Sequence, residues 1–258
     1  MLRSLSHTVK GKKANLYILS DFHLGAKGFV EEALKNRVNE IKKDKDAVVI
    51  INGDLCDFIR AGDPRFMMSE VDMRYLDFEQ QYFGIKEILS PIKDKIIMVG
   101  TGNHDFSVKK YHGFDIPRML SEAFDAFHFE DIALLKIKVK KQEYRVLVTH
   151  GSTGSATLGG AVNWLLKRAN MLESTPDICA MGHVHRLDIV TDAKLRDDLT
   201  TTSVKFLAMT GSYYKTYNES DSNYGSRKTY APYPIGCVMF ELDSDGMIKD
   251  NKIIEYGY

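Results

Sequence analysis

Short apolar runs alternate with longer amphipathic stretches along most of this chain. The short runs are rich in Val, Ile and Leu, as buried strands are, and the stretches between them carry apolar residues at helical spacing. This alternation predicts an α/β protein. Strands are expected at residues 16–20, 47–52, 96–100, 145–149, 178–182, 205–209 and 237–241. Helices are expected at residues 30–42, 73–92, 117–124 and 161–171.

Three further segments complete the predicted organisation. Residues 133–139 alternate apolar residues with lysines, which predicts an edge or outer strand whose charges deter pairing with other chains. Residues 58–72 and 211–235 fit neither a helix nor a strand and are expected to be long loops, which are often functional in compact domains. Because no linker or repeat interrupts the pattern, residues 1–258 are expected to form a single domain without a separate capping domain.

The composition narrows the possible partners and the location of the protein. The 258 residues carry 35 basic and 35 acidic side chains, so the net charge does not favour nucleic acid or an anionic membrane, although a local basic face stays open. The three cysteines lie far apart without a Cys-x-x-Cys pair, which favours buried thiols in a reducing compartment. The basic amino-terminal segment lacks the apolar stretch of a secretory signal, and no apolar run is long enough to span a membrane. A cytoplasmic protein is therefore expected.

Polar side chains that can bind metal follow five consecutive predicted strands at the point where each strand ends. Five of the eight histidines fall at these positions, whereas His7, His112 and His128 do not. One histidine at a strand end is usually a hydrogen-bonded structural residue, but five in register with the α/β alternation are difficult to explain in that way. In open α/β sheets ligands bind at the carboxyl ends of the strands, so we expect these side chains to converge on one rim. The segments are Asp21-Phe-His23, Gly53-Asp-Leu-Cys-Asp57, Gly102-Asn-His-Asp105, His150 and Gly182-His-Val-His185.

The candidate ligands indicate which metals the rim would bind. The set combines carboxylate and amide oxygens with imidazole nitrogens and contains no thiolate, which suits manganese, iron or zinc better than magnesium or calcium alone. Seven side chains exceed the needs of one tetrahedral ion and suit two ions that share a bridge. A carboxylate has two oxygens, and Asp54 is the expected bridging residue. The candidates are Asp21, His23, Asp54, Asn103, His150, His183 and His185.

The combination of DxH, GDxxD, GNHD, a single histidine after a strand and GHxH resembles the calcineurin-like metallophosphoesterases. The motifs span residues 21 to 185, and all of them are intact. The resemblance implies an α/β fold of four layers (αββα), in which two packed mixed sheets are flanked by helices. It implies two divalent metal ions, with manganese as the first expectation and iron or zinc as alternatives. One ion would be held by Asp21, His23, Asp54 and His185, and the other by Asp54, Asn103, His150 and His183.

The resemblance also implies a mechanism. Two ions about 3.5–4 Å apart would clamp the phosphoryl group and activate a bridging hydroxide, which attacks phosphorus in line with the leaving oxygen. In the family the residue that matches His104 faces the phosphate and protonates the leaving group or stabilises charge, and Asp105 is expected to orient this imidazole. Asn103 and His104 are therefore expected to contact the substrate. Arg60 is a further candidate for phosphate binding, although its segment fits an ordinary surface loop equally well.

The motifs define a reaction class and leave the substrate open. The resemblance leans toward the DNA repair exonucleases and the prokaryotic or phage-type phosphoesterases, which implies hydrolysis of phosphodiester bonds in nucleotides or in nucleic acid, including single strands. The tyrosines and basic residues of 211–235 could stack bases, but a loop packed on the sheet edge explains them at least as well. The alternatives are a nucleotide-pyrophosphate hydrolase of the UDP-diacylglucosamine pyrophosphatase type, a phosphomonoesterase and, least favoured, a metal-stabilised scaffold without activity.

Overall fold

Two six-stranded mixed sheets form the centre of the protein. The computed structural model describes residues 2–59, 63, 66–152, 157–217, 224–227 and 229–256. In this part of the chain the strands are β1 (Leu2–Val9), β2 (Lys13–Leu19), β3 (Ala47–Asn52), β4 (Ile96–Gly100), β5 (Phe127–Phe129), β6 (Ile132–Val139), β7 (Gln142–Thr149), β8 (Ile178–Met181), β9 (Leu187–Leu195), β10 (Thr202–Thr210), β11 (Gly236–Asp243) and β12 (Ile248–Glu255). The helices are α1 (Glu31–Lys43), α2 (Phe78–Leu89), α3 (Asn103–His112), α4 (Ile116–Ala123), α5 (Leu158–Ala169) and α6 (Tyr224–Arg227), with 3₁₀ helices at Met68–Glu70 and Ser90–Lys95.

The strand order places parallel strands at the centre of each sheet. The first sheet has the order β1-β6-β7-β8-β10-β9, and the second has the order β12-β11-β2-β3-β4-β5. Strands β2, β3, β4 and β5 are parallel to one another, as are β7, β8 and β10, so the carboxyl ends within each group lie at the same edge. The apolar strand β11 pairs antiparallel with both β2 and β12, which completes the second sheet.

Apolar side chains fill three interfaces that stack these elements into four layers. The two sheets pack face to face through a core that includes Ile50 and Val146. Helices α1, α2 and α4 cover the outer face of the second sheet, for example through Leu34 and Leu120. Helix α5 covers the outer face of the first sheet through Leu165. The order of helix, sheet, sheet and helix confirms the predicted αββα sandwich.

Every strand and helix predicted from the pattern corresponds to an observed element. The predicted and observed boundaries differ most for the helix expected at residues 73–92, which is shorter in the structure. Helix α2 begins only at Phe78, because the Asp77 side chain accepts a hydrogen bond from the Gln80 backbone N–H at 2.7 Å and thereby caps the helix. Met73 and Leu76, which the spacing placed on the helix, lie before this cap and are exposed. Beyond Leu89 the chain continues as a 3₁₀ helix.

The strand predicted at residues 133–139 does not lie at an edge of the sheet. Strand β1 runs parallel to β6 and covers its outer side, with paired residues from Leu2 and Ile132 to Val9 and Val139. The apolar residues on one face of β6, namely Ala133, Leu135, Ile137 and Val139, are buried, as the alternation predicts. The edge position predicted for this strand is therefore wrong. The sequence did not reveal β1, because this segment is mostly polar and its place in the sheet depends on pairing with β6.

The structure also contains elements that the pattern did not predict, namely β1, β5, β9, β12, α3 and, within the two predicted loops, α6 and the 3₁₀ helix at Met68–Glu70. The two predicted loops lie against the segment that follows β2, because Ala26 forms a bridge with Val71, and Phe29 forms one with Tyr214. Arg60 lies outside the described residues. No helix among the described residues combines the length and the apolar composition that crossing a bilayer requires.

Candidate metal centre

The carboxyl ends of β2, β3, β4, β7 and β8 meet at one edge of the sandwich, and all seven candidate ligands lie there. The loops are tied together through their backbones, since the Asp21 N–H donates to the Gly53 carbonyl at 3.0 Å. The Asn52 side-chain amide donates to the Thr149 carbonyl at 2.9 Å, which joins the end of β3 to the end of β7 in the opposite sheet. Ligands from both sheets are thereby held in one place.

Asp21, His23 and His185 form the first group of ligands. Their donor atoms lie within 4.8 Å of one another. The Nε2 atoms of His23 and His185 are 3.1 Å apart, and Asp21 Oδ1 lies 3.4 Å from His185 Nε2. The Asp21 carboxylate is fixed from the opposite sheet, because the His183 backbone N–H donates to both of its oxygens at 3.0 Å.

Asp54, Asn103, His150 and His183 form the second group. Asp54 Oδ2 lies 3.2 Å from His150 Nε2, while Asn103 Oδ1 lies 3.3 Å from His150 Nε2 and 2.7 Å from His183 Nδ1. The same Asp54 oxygen is 3.9 Å from Nε2 of His23, which belongs to the first group. Asp54 therefore lies between the two groups, within reach of both.

The donor atoms of the second group fit a cation. With its oxygen directed inward, the Asn103 amide faces a carboxylate oxygen and two imidazole nitrogens, and all four atoms offer lone pairs when the two rings carry no proton on these nitrogens. The reversed amide would instead donate its N–H groups to the same three atoms. Lone pairs that converge at such distances need a proton or a cation between them, and oxygen and imidazole donors without thiolate suit a divalent transition metal.

The imidazole of His104 lies beside the first group. Its ring centroid is 4.7 Å from that of His23, and its Nδ1 lies 2.5 Å from the Asp57 carbonyl oxygen and 3.7 Å from Asp57 Oδ1. A carbonyl oxygen can only accept a hydrogen bond, so Nδ1 carries the hydrogen. Asp57 thus holds the position beside the ring that the sequence assigned to Asp105.

Asp105 has a different role from the expected one. Its carboxylate accepts hydrogen bonds from the backbone N–H groups of Gly102 and Asp54 at 2.8 Å each and of Leu55 at 3.2 Å. Asp105 is the third residue of α3, where a carboxylate readily turns back to the start of the helix. The expectation that it orients His104 is corrected by this geometry, in which Asp105 fixes the turn that presents Asp54.

Comparison with known proteins identifies the family of the chain. The profile of the calcineurin-like phosphoesterases matches residues 14–187, about two thirds of the chain. The chain belongs to the calcineurin-like phosphoesterase family. The resemblance seen in the motifs is thereby confirmed at the level of the family. No curated protein matches the sequence.

Several solved structures are similar to this calcineurin-like phosphoesterase at low sequence identity. Zinc-bound Vps29 from Entamoeba histolytica is 13% identical, with a TM-score of 0.43 and coverage of 89% of this chain and 87% of that one. NAD nucleotidase (NadN) from Haemophilus influenzae is 10% identical, with a TM-score of 0.45 and coverage of 94% and 49%. GAP50 from Plasmodium is 11% identical, with a TM-score of 0.49 and coverage of 96% and 90%.

Five of the seven candidate ligands in this family member have a left-handed backbone, with φ between 50° and 66°. Residues other than glycine rarely adopt this conformation, although aspartate and histidine tolerate it better than most. Such strain persists only where the surrounding structure imposes it, and it clusters at functional sites. The edge is therefore built to present these side chains rather than to minimise backbone energy. The residues are Asp21, His23, Asp54, His183 and His185.

The protonation of the site follows from burial and from the neighbouring carboxylates. Burial lowers the pKa of His183 to about 4 and that of His185 well below its ordinary value, so both imidazoles are neutral at pH 7 and can act as ligands. Burial would also lower the pKa of His150, but Asp54 and Asp21 outweigh it and raise this pKa to about 10. A cation bound there would replace the proton as the partner of these carboxylates.

Two glycines of the motifs allow the loops to approach one another closely. A Cβ atom on Gly102 would lie 2.0 Å from Asp54 Oδ1 and 2.2 Å from the Asp54 nitrogen. A Cβ atom on Gly182 would lie 2.6 Å from Asp21 Oδ2. Real Cβ atoms do not come this close to other heavy atoms, so a side chain at either position would displace a ligand.

Gly102→Ala tests this requirement. We expect the substitution to lower metal affinity by about 10- to 100-fold, as changes beside a metal ligand commonly do, and to lower the free energy of unfolding by about 1–3 kcal/mol. Gly159→Ala on α5 is the matched control, because a Cβ atom there meets nothing within 4 Å. Metal titration and thermal unfolding measure both effects, and unchanged metal binding in Gly102→Ala would contradict the proposed role of this close approach.

Two further residues contact the candidate ligands or His104. Asp57, which the GDxxD motif placed at this rim without a ligand role, lies between two imidazoles, with Oδ1 3.5 Å from His23 Nδ1 and its carbonyl oxygen bound to His104. The sequence did not indicate that it contacts both rings. Tyr214 packs against His23 and His185, with ring centroids 5.5 and 5.9 Å apart, and its position among many loop tyrosines gave no signal of this contact.

Proposed function

We propose that the chain is a dinuclear-metal-dependent phosphoesterase that hydrolyses phosphodiester bonds in nucleic acid or nucleotides. The observation that carries the proposal is the juxtaposition of two ligand groups around Asp54 with the imidazole of His104 beside them. Membership of the calcineurin-like phosphoesterase family supports the same reaction class.

The residues of the two groups are assigned to two ions, with Asp54 shared between them. Manganese is the proposed metal, and iron and zinc suit the same mixture of donors. When bound, the ions would polarise the phosphoryl group and lower the pKa of water in the site. The first ion would be held by Asp21, His23, Asp54 and His185, and the second by Asp54, Asn103, His150 and His183.

His104 is the proposed catalytic acid and, with Asn103, a proposed contact to the phosphoryl group. Because the hydrogen on Nδ1 is committed to the Asp57 carbonyl, the proton that can be transferred sits on Nε2. Burial lowers the pKa of His104, while Asp54 and Asp57 oppose that effect. Asp57 would therefore hold the ring in one tautomer and stabilise its protonated form. Asp105 acts on the reaction only through the turn at Asp54.

The location and the domain organisation are also proposed. Cys56, Cys179 and Cys237 are buried free thiols, which supports a reducing compartment and hence the cytoplasm. Both β1 and β12 are strands of the two central sheets, which supports treating residues 1–258 as one domain.

Turnover of a short panel of substrates tests the function. Protein loaded with manganese, iron or zinc would be assayed on bis-p-nitrophenyl phosphate, p-nitrophenyl phosphate, a single-stranded DNA and a nucleotide pyrophosphate. We expect cleavage of the diesters, loss of cleavage after chelation and recovery when the metal is returned. Turnover of the pyrophosphate or the monoester alone would replace the proposed substrate class with one of those alternatives. Metal binding without any turnover would favour a scaffold.

A further inference from the structure

A cavity of about 380 Å³ opens beside the second ligand group. Asn103 and His150, both proposed metal ligands, form part of its wall, so a group attached to a phosphoryl at the metal centre could extend into it. Its volume lies at the lower end of the range for small-molecule sites, about 300–1,000 Å³. The cavity can therefore accommodate one compact substituent of a phosphoester.

Aromatic side chains form part of the cavity wall. Trp164 packs against the core under α5, and the Arg168 guanidinium carbon lies 3.7 Å from the centre of its ring, so this guanidinium covers one face of the indole. Phe106 on α3 also lines the cavity and is 50% exposed, although it is a large apolar side chain. Flat rings held in this way suit contact with another planar ring, because base–aromatic stacking works with any nucleobase.

Two acidic side chains also line the cavity. Glu130 and Asp131 both border it, together with the cationic Arg168, and Glu130 forms an ion pair with Lys109. Carboxylates accept hydrogen bonds from the N–H groups of a ring, as they do from the amino group of cytosine. The wall therefore offers acceptors to a ring that carries N–H donors.

We propose that this cavity binds the base of a nucleotide whose phosphoryl group lies at the metal centre. The stacking surfaces are the ring of Phe106 and the Trp164 indole with its stacked Arg168 guanidinium. The inference rests on the proposed function and narrows its substrate class to small nucleotide phosphoesters, because the cavity holds one base beside the site. Phe106 and Trp164 would then determine specificity without taking part in the chemistry.

The fluorescence of Trp164 tests the proposal directly, because this is the single tryptophan of the protein. Full-length, zinc-loaded protein would be titrated with cytidine 5′-monophosphate and, separately, with ribose 5-phosphate, and N-acetyltryptophanamide would correct for absorption by the base. We expect saturable quenching by the nucleotide and none by the sugar phosphate. Absence of quenching by the nucleotide, or equal quenching by both ligands, would overturn the proposal.

Phe106→Ala gives a second readout, with Phe83→Ala on α2 as its matched control, because Phe83 is 53% exposed and does not line the cavity. We expect nucleotide affinity to fall about tenfold in Phe106→Ala, which is the size expected for the loss of one base–aromatic stack. Affinity should not change in Phe83→Ala. An equal effect of both substitutions would show that Phe106 is not a stacking surface.

Two diesters with the same leaving group separate failure of this inference from failure of the proposed function. The nucleoside substrate is thymidine 5′-p-nitrophenyl phosphate, and the alkyl substrate is methyl p-nitrophenyl phosphate. We expect kcat/KM to be at least about tenfold higher for the nucleoside. Equal values for the two would overturn the base site and leave the phosphoesterase function intact. Turnover of neither diester, together with nucleotide-specific quenching, would reject the phosphoesterase function and retain the nucleotide site.

Discussion

Asp54→Asn is expected to abolish phosphoesterase activity and to weaken the binding of both metal ions by more than about 100-fold. Replacing a residue that only supports a metal ligand already lowers metal affinity or activity by about 10- to 100-fold. Asp54 Oδ2 lies 3.2 Å from the Nε2 atom of His150 in one ligand group and 3.9 Å from that of His23 in the other. Its Oδ1 accepts the backbone N–H of His104 at 2.9 Å. Asparagine keeps the shape of the side chain but removes the charge and the second oxygen that a bridge requires.

Asp125→Asn provides the matched control for this substitution. Asp125 is exposed and has φ of 53°, close to the 50° of Asp54, so both changes place asparagine in the same left-handed conformation. Metal content and calorimetric titration would compare the two variants with the native protein. We expect two ions per chain in Asp125→Asn. Two tightly bound ions in Asp54→Asn would contradict the bridging role.

His104→Ala is expected to lower kcat by about 100- to 10,000-fold while both ions remain bound, which is the usual contribution of a general acid. His104 is not in either proposed ligand set, and its ring is held by the Asp57 carbonyl. His112→Ala is the matched control, because His112 lies on the same helix α3 and is exposed. Metal titration alongside the kinetics distinguishes loss of the acid from loss of the metal.

The identity of the leaving group shows whether His104 donates a proton. A p-nitrophenolate leaves without protonation, whereas an alkoxide does not, so the loss in His104→Ala should be larger for a diester with an alkyl leaving group. The acid must carry its proton on Nε2, so native activity on the alkyl substrate should fall as pH rises through the pKa of His104. Burial sets this pKa below the ordinary value for histidine, with Asp54 and Asp57 opposing it. Equal losses for both leaving groups would assign His104 to charge stabilisation instead of proton transfer.

Local patterns predicted most of the elements of this fold. The buried strands β3 and β4 begin and end at the predicted residues, since their apolar runs are bounded by polar turn residues on both sides. The pattern failed where neighbours decide the structure. Strand β1 gains its place through pairing with β6, and α2 begins at a cap that the apolar spacing does not reveal. Helix α3 begins at Asn103, inside the GNHD motif. Its residues do not show the spacing of apolar side chains that predicts a helix.

In the candidate site, too, the sequence predicted which residues take part but not which of their contacts form. The motifs indicated which side chains gather at the edge, because strand ends and metal-binding residue types are both visible in the sequence. They did not indicate that Asp105 turns back to the backbone of Asp54 while Asp57 holds His104. Asp105 is next to His104 in the sequence, whereas Asp57 is 47 residues away, so the pattern favoured the neighbour. Only the path of each loop shows which carboxyl group lies beside the ring.

The sequence by itself determined the family, the set of metal-capable residues and the alternation of strands and helices, because these depend on residue types and on spacing along the chain. Only the tertiary structure decided that Asp54 lies between ligands from two different sheets, and that Trp164 and Phe106 face one cavity beside Asn103. These relations join residues that are distant in sequence. They follow from the packing of the two sheets and from the approach of loops that glycine permits at Gly102.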